Sequence, residues 1–383
     1  MDLSKYKGKR VLVAMSGGID STMSAVLLKE AGAECVGLTM KTWDYTSSGC
    51  DTTKIGNVGC CSIDDINDAM MACVENDIPH TVHDIREDFN DSVVENFIGE
   101  YMEGRTPNPC IMCNTHIKWG ALLKIADTLK CEFIATGHYA IVKHQPNKYA
   151  SGDYTLHRGV DATKNQSYVL WGLSQEVLAR TIFPMGDLLK TDVRKMAMDR
   201  GLTSVATKSE SYEICFIPDN DYRSFLGRKH DIKSGNFIDR DGNVIGTHDG
   251  YPFFTIGQRR GLNYVANDGK PRYVTRINPK TNEVTLGPEK DLRQLTMEVT
   301  NINTINGEDV FMDNHIEVLA NVRYRGSVQE AQVYNRLDKT ILTFQHVIMS
   351  PAPGQSTVCY DPKDPTRVIG GGHIHKIHDW RYK

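Results

Sequence analysis

The sequence predicts an α/β fold in which a parallel-sheet domain is followed by a small central domain and a C-terminal β-barrel. Between Arg10 and about Thr136, apolar strand-like runs alternate with amphipathic helical stretches, the order that gives a parallel sheet covered by helices. After about Pro218 the chain changes to short alternating runs separated by turn residues, as in antiparallel sheets. A chain of 383 residues is also long for a single core, so two or three domains are expected.

The first domain is predicted from its hydrophobic periodicity. Buried strands are predicted at VLVAM, ECVGLTM, HTVHDI and EFIATGH. Between the first two strands, a helix from about Asp20 carries Met23, Val26 and Leu27 on one face and stops at Gly32. Further helices are predicted near residues 63–75, 89–102, 116–129 and 187–200. Ligands of such a sheet are expected at the carboxyl ends of its strands.

The second half of the chain carries hairpin signals. The runs GNFIDRDGNVIG and YVTRINPKTNEVTLG contain an Asp241-Gly242 turn and an NPKTNE turn between alternating apolar residues. The later runs VLANVRYRG and RVIGGGHI have the same character. We expect a small mixed module and then an antiparallel barrel.

Composition restricts the class of protein. With 40% apolar and 24% charged residues, the chain resembles neither a disordered nor a collagen-like protein. No apolar run approaches the roughly 18 residues of a membrane span, and the polar start MDLSKYKGKR is unlike a signal peptide, so a cytoplasmic location without a membrane partner is expected. The net charge of -4 argues against non-specific nucleic-acid binding, although the stretch from Phe253 to Arg276 holds five Lys or Arg against one Asp. That stretch is either an RNA-binding patch or a solvated hairpin face.

The ten cysteines do not suggest a disulfide framework, because such frameworks belong to small secreted domains. Cys35, Cys73 and Cys131 lie in apolar stretches and are interpreted as buried hydrophobic residues. Cys110 and Cys113 form a CxxC pair in RTPNPCIMCN, and Cys215 lies far along the chain in EICFIPD. A structural zinc site wants four ligands, and no obvious fourth accompanies these three. The role of Cys50, Cys60 and Cys61 stays open, since their spacing is poor for a metal site.

The strongest motif is VLVAMSGGIDS, residues 11–21, in which a buried strand leads through a small-residue loop into a helix. Glycines let the backbone approach a phosphate closely, and the amides and dipole at the helix start favour an anion. The chain has no GxxxxGK[ST] motif, so this loop differs from the usual NTPase loop, which supplies a lysine for the γ-phosphate. The alternative reading is a tight turn of small residues with no ligand.

The run SGGIDS resembles the PP-motif of the PP-loop ATP pyrophosphatases, a superfamily with an adenine nucleotide alpha hydrolase-like fold. These enzymes split ATP between its α and β phosphates and adenylate an oxygen of the substrate, which turns a poor leaving group into a good one. The superfamily includes synthetases of GMP, NAD and argininosuccinate, together with enzymes that thiolate tRNA.

Ten ordered motifs make the resemblance more specific. Among them are GRTPNPCIMCNTHIKW, ATGHYA, KNQSYVLWGLS, GYPFFTIGQRRGL and VIGGGHI, and together they are similar to bacterial tRNA-specific 2-thiouridylases nearly from end to end. The resemblance implies that the wobble uridine of tRNA is adenylated at its C2 oxygen and then receives sulfur to give 2-thiouridine, with AMP and pyrophosphate released. It also implies ATP and Mg2+ as cofactors, tRNA as a partner, and a cysteine desulfurase or relay protein as sulfur donor. The implied domains are 1–217, 218–297 and 298–383.

The resemblance also implies roles for individual residues. The attacking cysteine would be Cys113, and Cys215 would carry or resolve a persulfide. The implied ATP-binding residues are Ala14, Met15, Ser16, Gly17, Gly18, Ile19, Asp20, Ser21, Met40 and Gly137. The implied tRNA-binding residues are Asn108, Pro109, Cys110, His138, Lys164, Asn165, Gln166, Arg323, Tyr324 and Gln355, of which the first three would face the target base.

One departure from the family pattern opens a second reading of the thiols. Many members have PNPD where this chain has PNPC, so Cys110 replaces an acidic group whose role it cannot simply inherit. Three cysteines that include a CxxC pair are also what a related branch of tRNA-thiolating enzymes uses to hold a four-iron four-sulfur cluster. The hypotheses are therefore a Cys113 and Cys215 persulfide pair or a cluster on Cys110, Cys113 and Cys215, and the sequence favours the cluster.

Two further functions compete with tRNA thiolation. One is an amide- or urea-forming ligase of the argininosuccinate or GMP synthetase type, which needs no thiol. The other is a non-enzymatic RNA-binding or metal-sensing protein with a vestigial ATP loop. A requirement for Cys113 separates the first from thiolation, and pyrophosphate release stimulated by tRNA separates the second.

Overall fold

The computed structural model describes residues 2–44, 63–146, 154–208, 214–305, 315–336 and 339–378. Cys50, Cys60 and Cys61 lie outside these ranges. No helix among the described residues is long and apolar enough to cross a membrane.

The N-terminal part contains a five-stranded sheet, all of whose neighbouring strands are parallel, in the order β3-β2-β1-β4-β7. Its strands are β1 (Arg10–Ala14), β2 (Glu34–Lys41), β3 (His80–Asp84), β4 (Phe133–Ala135) and β7 (Thr181–Ile182). Two more strands follow β4 along the chain, β5 (Ala140–His144) and β6 (Tyr154–Arg158). The predicted parallel sheet is confirmed. The two-residue β7 gave no hydrophobic pattern and was not predicted.

Helices cover both faces of this sheet. They are α1 (Ile19–Glu30), α2 (Ile63–Glu75), α3 (Arg86–Phe89), α4 (Glu95–Met102), α5 (Pro109–Met112), α6 (Trp119–Thr128), α7 (Gln175–Arg180), α8 (Lys190–Asp199) and α9 (Thr203–Thr207). Along β1, Leu12 packs into the core on one face of the sheet, whereas Val11 and Val13 pack into the core on the other. This alternation follows from the two-residue repeat of a strand.

Two of the predicted helices begin earlier than the periodicity indicated. One runs from Arg86 through α4, with a π-helical segment at Asn90–Val94. The other begins at Pro109 instead of residue 116, because Asn108 caps it and Pro109 suits its first turn. It continues through a π-helical segment, Cys113–Lys118, into α6. The CxxC pair is therefore helical.

The central part is a four-stranded mixed sheet preceded by α10 (Tyr222–Lys229). Its strands are β8 (Gly235–Ile238), β9 (Val244–His248), β10 (Tyr273–Asn278) and β11 (Glu283–Gly287), in the order β10-β11-β8-β9. Both predicted hairpins are present, and Gly242 has the positive φ of 88° that a tight turn requires.

The C-terminal part is a closed antiparallel barrel of six strands, as predicted. They are β12 (Arg293–Thr304), β13 (Ile316–Asn321), β14 (Gln329–Arg336), β15 (Lys339–Met349), β16 (Ser356–Asp361) and β17 (Asp364–His378), and the pairing of β12 with β17 closes the barrel. The hairpin of β5 and β6 from the N-terminal part extends this sheet through the pairing of β6 with β17. The barrel and the N-terminal part therefore share a sheet, which the sequence did not predict.

Candidate functional site

The loop between β1 and α1 has the geometry expected of a phosphate-binding loop. The Ser16 amide donates to Ser21 Oγ at 3.1 Å, and Ser21 Oγ donates to the Gly18 carbonyl at 3.0 Å. Gly17 has φ +69°, and a Cβ built there would lie 2.3 Å from the Asp65 carbonyl oxygen, so only glycine fits. Ser16 is exposed at the tip of the loop.

The other residues assigned to the nucleotide lie at the same edge of the sheet. Gly137 follows β4, and a Cβ there would come within 2.8 Å of the Asp20 carbonyl carbon and of the Ser21 amide nitrogen. Met40 is buried near the end of β2, the strand on the other side of β1. The strand that carries the loop thus lies between the two strands that carry its neighbours, which is where ligands bind in parallel sheets.

Asp20 is held by two residues that sequence reasoning missed. The Lys190 Nζ lies 2.7 Å from both carboxylate oxygens of Asp20, and the Tyr139 hydroxyl donates to Asp20 Oδ1 at 2.8 Å. Lys190 is 6% exposed, and a buried ammonium group is costly without a counter-charge such as this carboxylate. No local signal identifies Lys190, since it lies 170 residues from Asp20 along the chain.

A second lysine reaches the loop from the other side. Lys208 Nζ lies 2.7 Å from Asp65 Oδ1, 2.6 Å from Asp68 Oδ2 and 3.3 Å from the Gly17 carbonyl oxygen. Burial lowers the pKa of Lys208, but its hydrogen bonds and attraction to the two aspartates outweigh burial, and the net pKa is raised. The loop therefore has a charged lysine on each side, although its own motif supplies none.

The CxxC pair lies in the first turns of the helix that begins at Pro109. The side chain of Asn108 accepts a hydrogen bond from the Ile111 amide at 3.3 Å and so caps this helix. Cys110 is exposed, and Cys113 is half-buried at the start of the π-helical segment. Such segments are frequent at functional sites, and the helix dipole there favours a negative charge such as a thiolate.

Cys113 and Cys215 pack against one hydrophobic core, and the described residues form no metal site from the three thiols. Both half-buried cysteines pack against the same hydrophobic core, together with Phe216. Across the described part of the chain, no three His, Cys, Asp or Glu side chains are grouped so as to hold a metal ion. The predicted ligand set of Cys110, Cys113 and Cys215 is thus not preformed in this structure.

The segment before Cys110 is anchored by the barrel and the central sheet. The Gln355 side-chain amide donates to the carbonyl oxygens of Thr106 and Pro107 at 3.0 and 2.9 Å. The Thr106 amide donates to the Pro353 carbonyl at 2.8 Å, and the Tyr251 hydroxyl donates to the Met102 carbonyl at 2.6 Å. All three parts of the chain therefore fix the position of the helix that carries the thiols.

The residues assigned to tRNA contacts fall partly into one cavity of about 550 Å³ between the N-terminal part and the barrel. Lys164, Asn165 and Tyr324 line it, and the guanidinium of Arg325 lies 5.4 Å from the Tyr324 ring centroid. Exposed aromatic and cationic groups together are the chemistry that binds single-stranded nucleic acid. Of the other assigned residues, Gln166 bonds Tyr139 instead of lining the cavity.

His138 is a neutral group in this site. Burial and the nearby positive charge of Lys118 lower its pKa well below the ordinary value. Its Nδ1 lies 2.7 Å from Thr136 Oγ1, and its ring contacts Trp119 and Phe183. A neutral imidazole can exchange hydrogen bonds with RNA but provides no charge for a phosphate.

A larger cavity, of about 930 Å³, lies beyond the carboxyl end of β3 and contains none of the predicted site residues. Its lining includes Trp43, Asp84, Arg86 and Arg228.

A parallel sheet, a glycine loop with a lysine on each side and a helix that carries two cysteines define the class of an α/β protein with a loop of the phosphate-binding type. Comparison with known proteins makes this specific. Three family models match in succession: the tRNA methyl transferase HUP domain over residues 9–219, the tRNA methyl transferase PRC-barrel domain over 223–288 and the aminomethyltransferase beta-barrel domain over 294–374.

Relatives match over nearly the whole chain. A tRNA-specific 2-thiouridylase MnmA of Salinibacter ruber is 49% identical, covering 97% of this chain and 95% of its own. Those of Amoebophilus asiaticus and Cytophaga hutchinsonii are 49% and 46% identical, each covering 96% of this chain and 96% and 98% of their own. The family models are named for methyl and aminomethyl transfer, whereas these relatives are named for thiolation of uridine. The relatives match over the full length of the chain and therefore decide the family. The chain belongs to the tRNA-specific 2-thiouridylase family, whose PP-loop implies use of ATP.

Proposed function

We propose that this protein is an ATP-dependent tRNA-uridine 2-sulfurtransferase that converts the wobble uridine of tRNA to 2-thiouridine. The observation that carries the proposal is the combination of the Ser16–Ser21 loop at the end of β1 with Cys113 and Cys215 on one core of the same domain. Full-length family membership supports the substrate. Adenylation of the C2 oxygen makes AMP the leaving group, and sulfur then replaces oxygen at C2.

In the first step the loop binds the phosphates of ATP. Its close backbone, the start of α1 and the charges of Lys190 and Lys208 all favour an anion. Mg2+ would accompany ATP, held mainly by the phosphates, with Asp20 as the nearest carboxylate of the loop. Met40 and Gly137 are proposed to lie against the adenosine.

In the second step we assign sulfur transfer to Cys113 and Cys215. A persulfide on Cys215 attacks the adenylated C2 through its terminal sulfur, and AMP leaves. The Cys113 thiolate then attacks the Cys215 sulfur, which releases the thiocarbonyl on the base and leaves a disulfide between the two cysteines for an external thiol to reduce. The common packing of both residues supports this pair.

A four-iron four-sulfur cluster on Cys110, Cys113 and Cys215 is the alternative. It would supply a free iron that binds sulfide. The exposed Cys110 and the absence of a three-ligand group among the described residues do not support it, so no step is assigned to a cluster.

The remaining assignments complete the proposal. The target base would lie against Asn108, Pro109 and Cys110, and the 550 Å³ cavity would bind another part of the tRNA. Further proposed contacts are His138, Gln166, Arg323 and Gln355. The domains are proposed at 1–217, 218–297 and 298–383, the location is proposed to be the cytoplasm, and a cysteine desulfurase or relay protein is the proposed sulfur donor.

The test is nucleoside analysis of tRNA from a strain that lacks this gene, with wild-type and Cys113→Ser copies returned. We expect 2-thiouridine derivatives to disappear and to return only with the wild-type copy. Purified protein should release AMP and pyrophosphate in the presence of tRNA. Unchanged 2-thiouridine in the deletion strain, or ADP as product, would reject the proposal.

A further inference from the structure

A closed ring of contacts links the Asp20 carboxylate to the turn at residues 161–166. On one side, Tyr139 donates through its hydroxyl to Asp20 at 2.8 Å and through its amide to Gln166 Oε1 at 3.0 Å. The backbone amide of Gln166 donates to the Tyr139 carbonyl at 3.0 Å. On the other side, Lys190 binds Asp20 through its ammonium and donates its own amide to Asp161 Oδ2 at 2.9 Å.

The turn between the two ends of this ring is itself ordered by Asp161. Its carboxylate accepts from the Thr163 amide at 2.9 Å and from the Thr163 hydroxyl at 2.6 Å. Thr163, Lys164 and Asn165 line the 550 Å³ cavity next to Tyr324. A ligand in that cavity therefore contacts a turn whose first residue, Asp161, binds Lys190 and whose last residue, Gln166, binds Tyr139. Lys190 and Tyr139 in turn both bind Asp20.

Tyr139 is suited to transmit movement between these places because it is buried and is hydrogen-bonded at both its backbone and its hydroxyl. Tyr139 is 2% exposed, and its backbone amide and carbonyl are both hydrogen-bonded to Gln166. At the far end of its aromatic side chain, the hydroxyl binds Asp20 of the phosphate loop. Any shift of Gln166 thus changes the direction from which the Tyr139 hydroxyl meets Asp20. The same carboxylate sets the position of the Lys190 charge beside the loop.

We propose that Tyr139 is a positioning residue through which occupation of the cavity by tRNA aligns Asp20 and Lys190 for ATP cleavage. This inference rests on the proposed function and deepens it, since it names the route by which the RNA substrate regulates the nucleotide site. Tyr139 itself contacts no reacting atom and acts through Asp20. An enzyme coupled in this way cleaves ATP efficiently only when tRNA is in place.

The test is Tyr139→Phe, which removes one hydroxyl and keeps the buried ring. AMP formation is measured with and without tRNA over a range of ATP concentrations. We expect the ratio of the rate with tRNA to the rate without tRNA to fall about tenfold, the size of one hydrogen bond to a charged group, while the Kd for tRNA stays near wild type. A purely structural role would lower the two rates in the same proportion and leave their ratio unchanged.

Tyr222→Phe is the matched control, because the Tyr222 hydroxyl donates to the Phe253 carbonyl at 2.8 Å, outside the ring. It should keep full stimulation. Asp161→Asn opens the other side of the ring, since a single carboxamide oxygen cannot serve both Lys190 and Thr163, and it should reproduce the loss even if Tyr139→Phe folds poorly.

Full tRNA stimulation in folded Tyr139→Phe, with normal wild-type turnover, would overturn this inference alone. Wild-type protein that gives ADP, or that makes no 2-thiouridine, would overturn the proposed function and this inference with it.

Discussion

The ammonium of Lys190 lies 2.7 Å from both carboxylate oxygens of Asp20, at the base of the phosphate loop. The lysine side chain is almost fully buried, whereas the aspartate side chain is about one-third exposed. Because a buried charge is costly without its partner, removing either residue affects stability as well as chemistry. The consequences differ for Asp20 and for the neighbouring Ser16.

We predict that Ser16→Ala and Asp20→Ala both reduce pyrophosphate release and leave tRNA binding nearly intact, because the loop handles the nucleotide. Ser16 is exposed, so Ser16→Ala should leave the free energy of unfolding within about 0.5 kcal/mol of wild type. Asp20→Ala should lower it by about 2 kcal/mol, since Lys190 loses its counter-charge. Urea unfolding and a pyrophosphate assay measure the two effects, and full activity of both variants would remove the loop from catalysis.

The sequence predicts the phosphate-binding loop, but it does not predict that Lys190 and Lys208 lie beside it. The run SGGIDS signals its own structure, because glycine, a small residue and a helix start are local features. Lys190 and Lys208 reach the loop from 170 and 191 residues away, and nothing next to them in sequence predicts those contacts. The same limit applies to the β5–β6 hairpin, whose partner β17 lies at the other end of the chain.

The helix that carries Cys110 and Cys113 shows a different limit of prediction from sequence. Asn108 and Pro109 are cap and first-turn signals for a start at Pro109, whereas the hydrophobic periodicity alone predicts a start near residue 116. Spacing also could not show that Cys110 is exposed while Cys113 and Cys215 pack against the same core. Burial depends on which elements meet, and that is a property of the fold.

The basic stretch of the central part gives a prediction about salt. Arg259 and Arg260 are exposed, so their charges can meet phosphates. Replacing both by Gln should weaken tRNA binding and lower the slope of log K against log salt by roughly one to two units. Arg272→Gln is the control, since Arg272 already pairs with Asp268 at 3.0 Å. Binding measured between low and moderate salt tests this, and an unchanged slope would make the stretch a solvated face.

His138 gives a prediction about pH. Because burial lowers its pKa in the folded state, the unfolded chain takes up a proton that the folded chain resists as pH falls below about 6.5. The contribution of this neutral ring to stability is therefore complete above that pH and is lost below it. Burial also lowers the pKa of His80 and the pKa of His248.

We expect wild-type protein to lose stability as the pH falls from about 6.5 to about 5.5, with each such histidine adding up to about 1.4 kcal/mol per pH unit to the slope. His138→Gln should flatten this dependence, because glutamine does not titrate. Urea unfolding at three pH values is the measurement. Parallel curves for the variant and wild type would contradict the buried, neutral state of His138.

The thiols give the last prediction, which separates a persulfide pair from a cluster. If Cys113 and Cys215 transfer sulfur, colourless protein should thiolate tRNA when given a cysteine desulfurase and cysteine. Cys113→Ser and Cys215→Ser should then abolish thiolation, whereas Cys110→Ser should cost far less, since sulfur transfer needs only a carrier and an attacker. A cluster instead needs all three thiolates, so protein purified without oxygen would be brown, and each of the three changes would remove both colour and activity. The exposed position of Cys110, away from the core on which the other two cysteines pack, leads us to expect the first pattern.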